Sequence, residues 1–189
     1  MDDVDSQIIE ALQRSRGYAG FFDWPLDRDI AELGVVQSLI KSLEEKGVLF
    51  FRDIAIRGRG NDPPDLEAKN FQGQRLAIEV TELVEPLAIC ENKKNPGRVY
   101  AEWPCQAFLS RIAELLGGKN SRFLSLKGGP YPAGYIVVIH TDEPFLTNMT
   151  VSNYLAEASF AGMDYINKAY LLLSYSPGVG YPVFELKLI

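Results

Sequence analysis

Histidine is nearly missing from this chain and cysteine is scarce: His140, Cys90 and Cys105 are the whole supply in 189 residues. Two cysteines outside any C-x-x-C pair exclude a disulfide-stapled scaffold and point to a reducing, cytoplasmic setting. With one histidine they also argue against a zinc site. No run of about 18 apolar residues occurs, so no membrane span is expected. The acidic start Met1-Asp2-Asp3-Val4-Asp5 is unlike a secretory leader. Positive charge is in deficit, 19 Lys and Arg against 25 Asp and Glu for a net charge of -6, which argues against a broad basic face for nucleic acid. G-x-S-x-G, P-loop and dinucleotide fingerprints are absent, which removes support for serine hydrolase, P-loop hydrolase and Rossmann oxidoreductase readings.

What is present is an ordinary globular share of apolar residues, 47%, enough for one domain with a small appendage. The first 34 residues read as an N-terminal extension. Ile8, Ile9 and Leu12 mark a short amphipathic helix, and Tyr18, Phe21, Phe22 and Trp24 form an aromatic, irregular stretch. Residues 35–189 read as one α/β domain. Val35, Val36, Leu39, Ile40 and Leu43 define a helix face that Gly47 ends, with Gly34 as a break before it. A strand is expected over Val48–Ile56, followed by a Gly/Asn/Pro loop at 57–63. Residues 83–99 read as irregular. A helix is expected over Tyr100–Leu116 with Gly117-Gly118 as its stop, then a buried strand over Tyr135–Ile139, a helix over Val151–Phe160, and strands over Ala169–Tyr175 and Pro182–Leu188.

The centre of interest is Pro64-Asp65-Leu66-Glu67-Ala68 followed by Glu79-Val80-Thr81. Both read as short strands joined by the turn Asn70-Phe71-Gln72-Gly73-Gln74. A hairpin centred on Gln72, 65–69 against 75–82, pairs position 65 with position 79. Alternation puts Leu66, Ala68, Leu76, Ile78 and Val80 on a core face, and Asp65, Glu67, Lys69, Ala77, Glu79 and Thr81 on the other. Cross-strand partners lie roughly 5 Å apart. Two carboxylates at that distance repel unless a positive group lies between them, and a hard divalent cation is the usual one. Solvent-facing acids on an amphipathic hairpin are the plainer reading, but acids are depleted in strands and like charges directly opposite destabilise.

Pro64-Asp65 and Glu79-Val80-Thr81 resemble the PD-(D/E)xK nuclease family, with the restriction-endonuclease-like fold, over about residues 36–140. The order helix, three strands, helix, strand is similar as well. The resemblance implies a mixed central sheet flanked by helices and hydrolysis of phosphodiester bonds in nucleic acid, with DNA preferred. It also implies Mg²⁺ or Mn²⁺ held by Asp65 and Glu79, with Glu67 and Glu44 as further candidate ligands. The sequence departs from the family where the motif lysine is expected, because that position is Thr81. A threonine hydroxyl can hold a water but brings no positive charge. Lys69 shares the polar face but lies about 13 Å along the strand from position 65. Lys93 and Lys94, on the segment leading to the next helix, are therefore the expected cation, ahead of Arg98. Arg57 and Arg59 upstream, with Lys93, Lys94 and Arg98 downstream, form two local basic clusters for a nucleic-acid partner. For any one of these residues a solvated loop charge is the simpler reading.

Two other functions fit the sequence. A nuclease-like domain that has lost catalysis would serve as an interaction module, which suits the acidic balance and the missing lysine. A winged-helix DNA-binding regulator would use Asp27–Leu33, a turn at Gly34 and Val36–Lys46 as recognition helix, with Gln37, Ser38, Lys41 and Ser42 as its contacts.

Overall fold

The computed structural model describes residues 27–94 and 100–189, the side chains of Arg59 and Lys93 excepted. The expected helix at residues 6–14 and the aromatic stretch at 17–25 lie outside the described residues. The chain is a mixed α/β protein whose six-stranded mixed sheet is flanked by helices. In chain order the elements are α1 (Arg28–Glu45), β1 (Phe51–Ile56), β2 (Leu66–Asn70), β3 (Arg75–Glu82), α2 (Pro86–Lys94), α3 (Cys105–Arg122), β4 (Tyr135–Thr141), α4 (Asn148–Leu155), β5 (Lys168–Leu173) and β6 (Val183–Leu186). The strands lie side by side in sequence order. β1, β2 and β3 form an antiparallel meander, β4 and β5 run parallel to β3, and β6 is antiparallel. No described helix is long and apolar enough to cross a membrane.

Period-2 alternation assigns the two faces of the sheet. Leu66, Leu76, Ile78, Val80, Ile136, Val138, Tyr170 and Leu172 pack under α1, against Val35, Val36, Leu39 and Leu43. Ala77, Tyr135, Val137, Ile139, Ala169 and Leu171 pack on the other face, against Phe108, Ile112 and Leu116 of α3 and Val151 of α4. β4 is apolar along its whole expected run because helices cover it on both sides. The expected hairpin forms in the expected register, with Leu66 opposite Ile78 and Ala68 opposite Leu76. Its turn is held by the Asn70 carboxamide oxygen, which accepts from the backbone N–H groups of Gln72 and Gln74.

Two helix boundaries differ from the sequence reading, and both differences bear on function. α1 does not break at Gly34; residues 28–45 form one helix, and Gly34 is buried in it. The boundary between an extension and a domain at 34/35 therefore falls inside a helix. A mid-helix glycine costs about 1 kcal/mol relative to alanine, less than burying the Val35, Val36, Leu39 and Leu43 stripe returns. Asp27 caps the start, accepting from Asp29 N–H. At the end Gly47 takes a left-handed φ of 69°. Its N–H reaches Glu44 O while Val48 N–H reaches Leu43 O, the paired bonds of a Schellman stop. The turn needed for a winged-helix motif is thus not formed. Two of the four expected contact residues, Ser38 and Ser42, face inward, Ser42 donating to the backbone oxygen of Tyr181.

α3 starts at Cys105 rather than Tyr100 and runs through Gly117-Gly118 to Arg122. Lys119 is buried beyond the expected stop, and Phe123 packs on the rings of Tyr135 and Tyr165. Tertiary packing on both sides of the two glycines outweighs their propensity cost. Between β3 and α3, residues 86–94 form α2 where an irregular segment is expected; the Glu143 carboxylate accepts from Glu85 N–H just ahead of it. The later helix ends at Leu155, not Phe160, and the last two strands run over 168–173 and 183–186, ending earlier than expected.

Gly134 opens β4 at a φ of 108°, and a Cβ there would lie 2.5 Å from Asn167 Oδ1, the atom that accepts from Tyr135 N–H. Gly134→Ala is expected to destabilise by about 2 kcal/mol or more. A thermal melt should show this as a fall of about 4–8 °C, and an unchanged midpoint would contradict it.

Candidate functional site

β2 pairs with β3 only as far as Leu66 opposite Ile78. Beyond that point β3 continues to Glu82 alongside β4 alone among the described strands. The departing β2 strand leaves a notch in the sheet, and Asp65 stands at its corner. One carboxylate oxygen of Asp65 accepts from Val80 N–H at 2.8 Å, replacing the ladder bond that the missing strand would have made. The first two turns of α1 and the last turn of α3 close over the notch. The result is a cleft of about 500 Å³ whose walls include Arg28, Glu32, Thr81, Lys119, Arg122 and His140. It opens at the carboxyl ends of the parallel strands β3 and β4, the usual place for a ligand in an open α/β sheet.

Asp65 and Glu79 meet here, as the register implies, and both are deeply buried, at 5% and 0% exposure. The positive group between them is Lys119. Its ammonium contacts Glu79 Oε2 directly and lies 3.7 Å from Asp65 Oδ2. Two guanidiniums complete the ring. Arg28 donates to Asp65 Oδ1 at 2.9 Å and to Glu32 Oε1 at 2.6 Å. Arg122 Nε lies 3.4 Å from Glu79 Oε1. Burial pushes the Glu79 carboxyl up from its ordinary value, against the pull of Lys119. Glu32 is pushed up to about 7, first by burial and then by the charge of Asp65.

The remaining candidates are distributed differently. Thr81 lines the cleft, one step along the strand face from Glu79. Glu67 is not part of the cluster: Arg75 grips it at 2.6 Å and Arg57 at 3.0 Å, and these bonds, Arg75 first, hold its carboxyl below the usual range. Glu44 is exposed, roughly 18 Å along α1 from Glu32 at 1.5 Å per residue; the acid that α1 brings to the cleft is Glu32. Lys94 is exposed at the end of α2, while the side chain of Lys93 and all of Arg98 lie outside the described residues. Among the described residues, the ammonium beside the two acids is that of Lys119 on α3. Arg57 is no solvated loop charge, since it also donates to Lys127 O. Arg59's side chain lies outside the described set.

Lys119, Arg122, Arg28 and Glu32 are the site residues that sequence reasoning missed. Ending α3 at Gly117 hid the first two. A signal for them was present: Lys119 follows Ile112 and Leu116 at helical spacing, so a helix that survives the glycines must point it inward. Arg28 and Glu32 lie one turn apart on the face that continues through Val35, but the break placed at Gly34 detached them from the core helix.

Asp65 and Glu79 would supply at most two carboxylates to a hard divalent cation, which would have to keep most of its water. Two carboxylates from adjacent strands converge, and Glu79 Oε1 is buried with the Arg122 guanidinium at 3.4 Å but no hydrogen bond, which leaves a lone pair for an ion or water. No group of three His, Cys, Asp or Glu among the described residues is placed to hold a metal. One or two carboxylates, with water and substrate phosphate filling the other positions, is the pattern of Mg²⁺ rather than of an all-protein cage. Comparison with protein-family models, curated proteins and solved structures found no match.

Because Glu32 binds a proton more readily folded than unfolded, folding takes up protons between its ordinary value of 4.5 and about 7. The raised value means that ionising Glu32 costs stability as pH rises through this window. Glu32→Gln keeps the acceptor for Arg28 and removes the charge. The variant should match the wild type near pH 4 and melt higher than it at pH 8. Equal midpoints across the range would show that Glu32 ionises without cost.

Proposed function

We propose that this chain is a metal-dependent phosphodiesterase of the PD-(D/E)xK type, acting on nucleic acid, with DNA favoured. The observation that carries the proposal is the ammonium of Lys119 between Asp65 and Glu79. It supplies, from a helix, the positive charge that Thr81 leaves out of the strand motif. The element order supports the same reading: a helix, an antiparallel meander with Asp65 just ahead of its second strand and Glu79 on its third, two helices, and a strand parallel to the third. Cys90 and Cys105 are free and exposed, which suits a reducing, cytoplasmic compartment.

In this reading Asp65 and Glu79 bind Mg²⁺ or Mn²⁺ directly or through its waters. The bound ion would acidify a water and stabilise the leaving oxygen. Lys119 offsets the charge that builds on the phosphoryl oxygens, and its burial makes that interaction stronger than it would be in water. Thr81 offers a hydroxyl to position the attacking water. Asp65 is held by Arg28 and Val80 N–H, so its carboxylate is oriented before any ligand arrives.

The test is incubation of the purified chain with single-stranded, double-stranded and branched DNA, and with RNA, in Mg²⁺, in Mn²⁺ and in chelator. Asp65→Ala and Glu79→Ala, purified alongside, control for contaminating nuclease. Cleavage that needs metal and both acids is the expected result. Wild-type inertness on every substrate and metal would refute it and favour the interaction module.

A further inference from the structure

We infer that Arg28 and Arg122 form a clamp for a backbone phosphate beside Asp65 and Glu79, and that the Asp62 carboxylate occupies the clamp in the free protein. The inference rests on the proposed nucleic-acid reading, because the phosphodiester is what it adds to that site.

The two guanidiniums come from opposite helices, Arg28 from the start of α1 and Arg122 from the end of α3. Both converge on one carboxylate. Arg122 Nη2 donates to Asp62 Oδ1 at 2.6 Å, and Arg28 Nη1 lies 3.6 Å from Asp62 Oδ2. The same guanidiniums turn their other nitrogens to the buried acids, Arg28 to Asp65 and Arg122 to Glu79. An anion in the place of the Asp62 carboxylate is therefore one guanidinium away from each acid. Paired forks of this kind match phosphate as well as carboxylate.

Asp62 is suited to yield. It sits on the loop between β1 and β2, and its side chain is partly exposed, so its ion pairs contribute little. Asp65 and Glu79 are buried under the same cations and cannot leave. The neighbouring backbone is pinned: Lys127 N–H donates to Pro63 O and Asn61 N–H to Gly58 O. Asp62 can therefore vacate the clamp by rotating its side chain, without loop movement. With Asp62 in place, Arg28, Lys119 and Arg122 face Asp62, Asp65, Glu79 and Glu32. With it turned out, the three cations face only Asp65, Glu79 and Glu32, and the two guanidiniums lose the acceptor between them, so a phosphate can take its place.

The experiment is fluorescence anisotropy with short labelled single-stranded and duplex oligonucleotides in chelator, so that binding is read whether or not the protein cleaves. Asp62→Asn keeps the size and removes the competing charge. It should bind about tenfold more tightly than the wild type, and the gain should vanish on a methylphosphonate backbone, which is uncharged. Arg28→Ala and Arg122→Ala should each weaken binding about tenfold and lower the slope of log K against log salt by about one on duplex. Arg28→Lys and Arg122→Lys, which keep the charge and lose the fork, should fall between, and they stand in if an alanine variant melts before the assay temperature. Unchanged or weaker binding by Asp62→Asn, or wild-type affinity in folded Arg28 and Arg122 variants, would overturn the clamp. Absence of cleavage with these binding changes intact would instead sink the phosphodiesterase and leave the clamp standing.

Discussion

Lys119→Met is expected to be the most damaging single substitution in the cleft. Methionine keeps the length and apolar stem of the lysine, so little volume is lost, but Asp65 and Glu79 are left buried with only guanidiniums at the rim. Breaking a buried ion pair by removing one partner costs about 3–5 kcal/mol. Total stability of a domain is about 5–15 kcal/mol, so the midpoint of thermal unfolding should fall by about 10 °C or more. The loss should shrink as pH falls, because burial pushes the Glu79 carboxyl above its ordinary value and a protonated carboxyl no longer needs the cation. Pairing Lys119→Met with Glu79→Gln should recover part of the stability, and the double-mutant cycle measures how much of it was the pair. Cleavage should drop by a factor of about 100 or more even at a temperature where the variant is folded. A folded variant that cleaves at the wild-type rate would remove Lys119 from the chemistry.

The second large effect separates chemistry from stability at the same place. Asp65→Asn and Glu79→Gln keep shape and remove charge. Each should lower the cleavage rate by about a thousandfold, the equivalent of about 4 kcal/mol of transition-state stabilisation. Glu79→Gln should destabilise less than Lys119→Met, by about 1–3 kcal/mol, because Lys119 keeps Asp65 at 3.7 Å as a partner and burial already opposes the charge on Glu79. Asp65→Asn should cost about 1–2 kcal/mol: its carbonyl can still accept from Val80 N–H, but its amide turns a donor towards Arg28. Cleavage of a labelled oligonucleotide and a urea melt on the same preparations give both readings. Retained activity in the folded variants would mean that the two acids are structural, and the interaction module would then be the better account.

Much of the frame is legible in the residues themselves. The alternation through 65–69 and 75–82, with a glycine turn between, fixes the hairpin register, because a slip of one residue would turn Leu66, Ile78 and Val80 out of the core. That register brings Asp65 to Glu79 without further information. The apolar run at 135–139 declares a strand covered on both faces, and the Val35–Leu43 stripe a helix that lies on the sheet. These are local patterns with local causes.

The cation of the site depended on something no local pattern contains. Gly34 and Gly117-Gly118 are breaks by propensity, and each is overruled by burial on both sides. The second override carries α3 far enough to set Lys119 between the acids and Arg122 at the rim; the first joins Arg28 and Glu32 to the helix that covers the notch. The sequence alone determined the β2–β3 hairpin and that two carboxylates must meet. Only the tertiary structure decided which positive groups answer them. Pairing between adjacent strands follows from a two-residue period, whereas Lys119 reaches Glu79 across 40 positions of chain, through the packing of a helix whose length its own residues do not set.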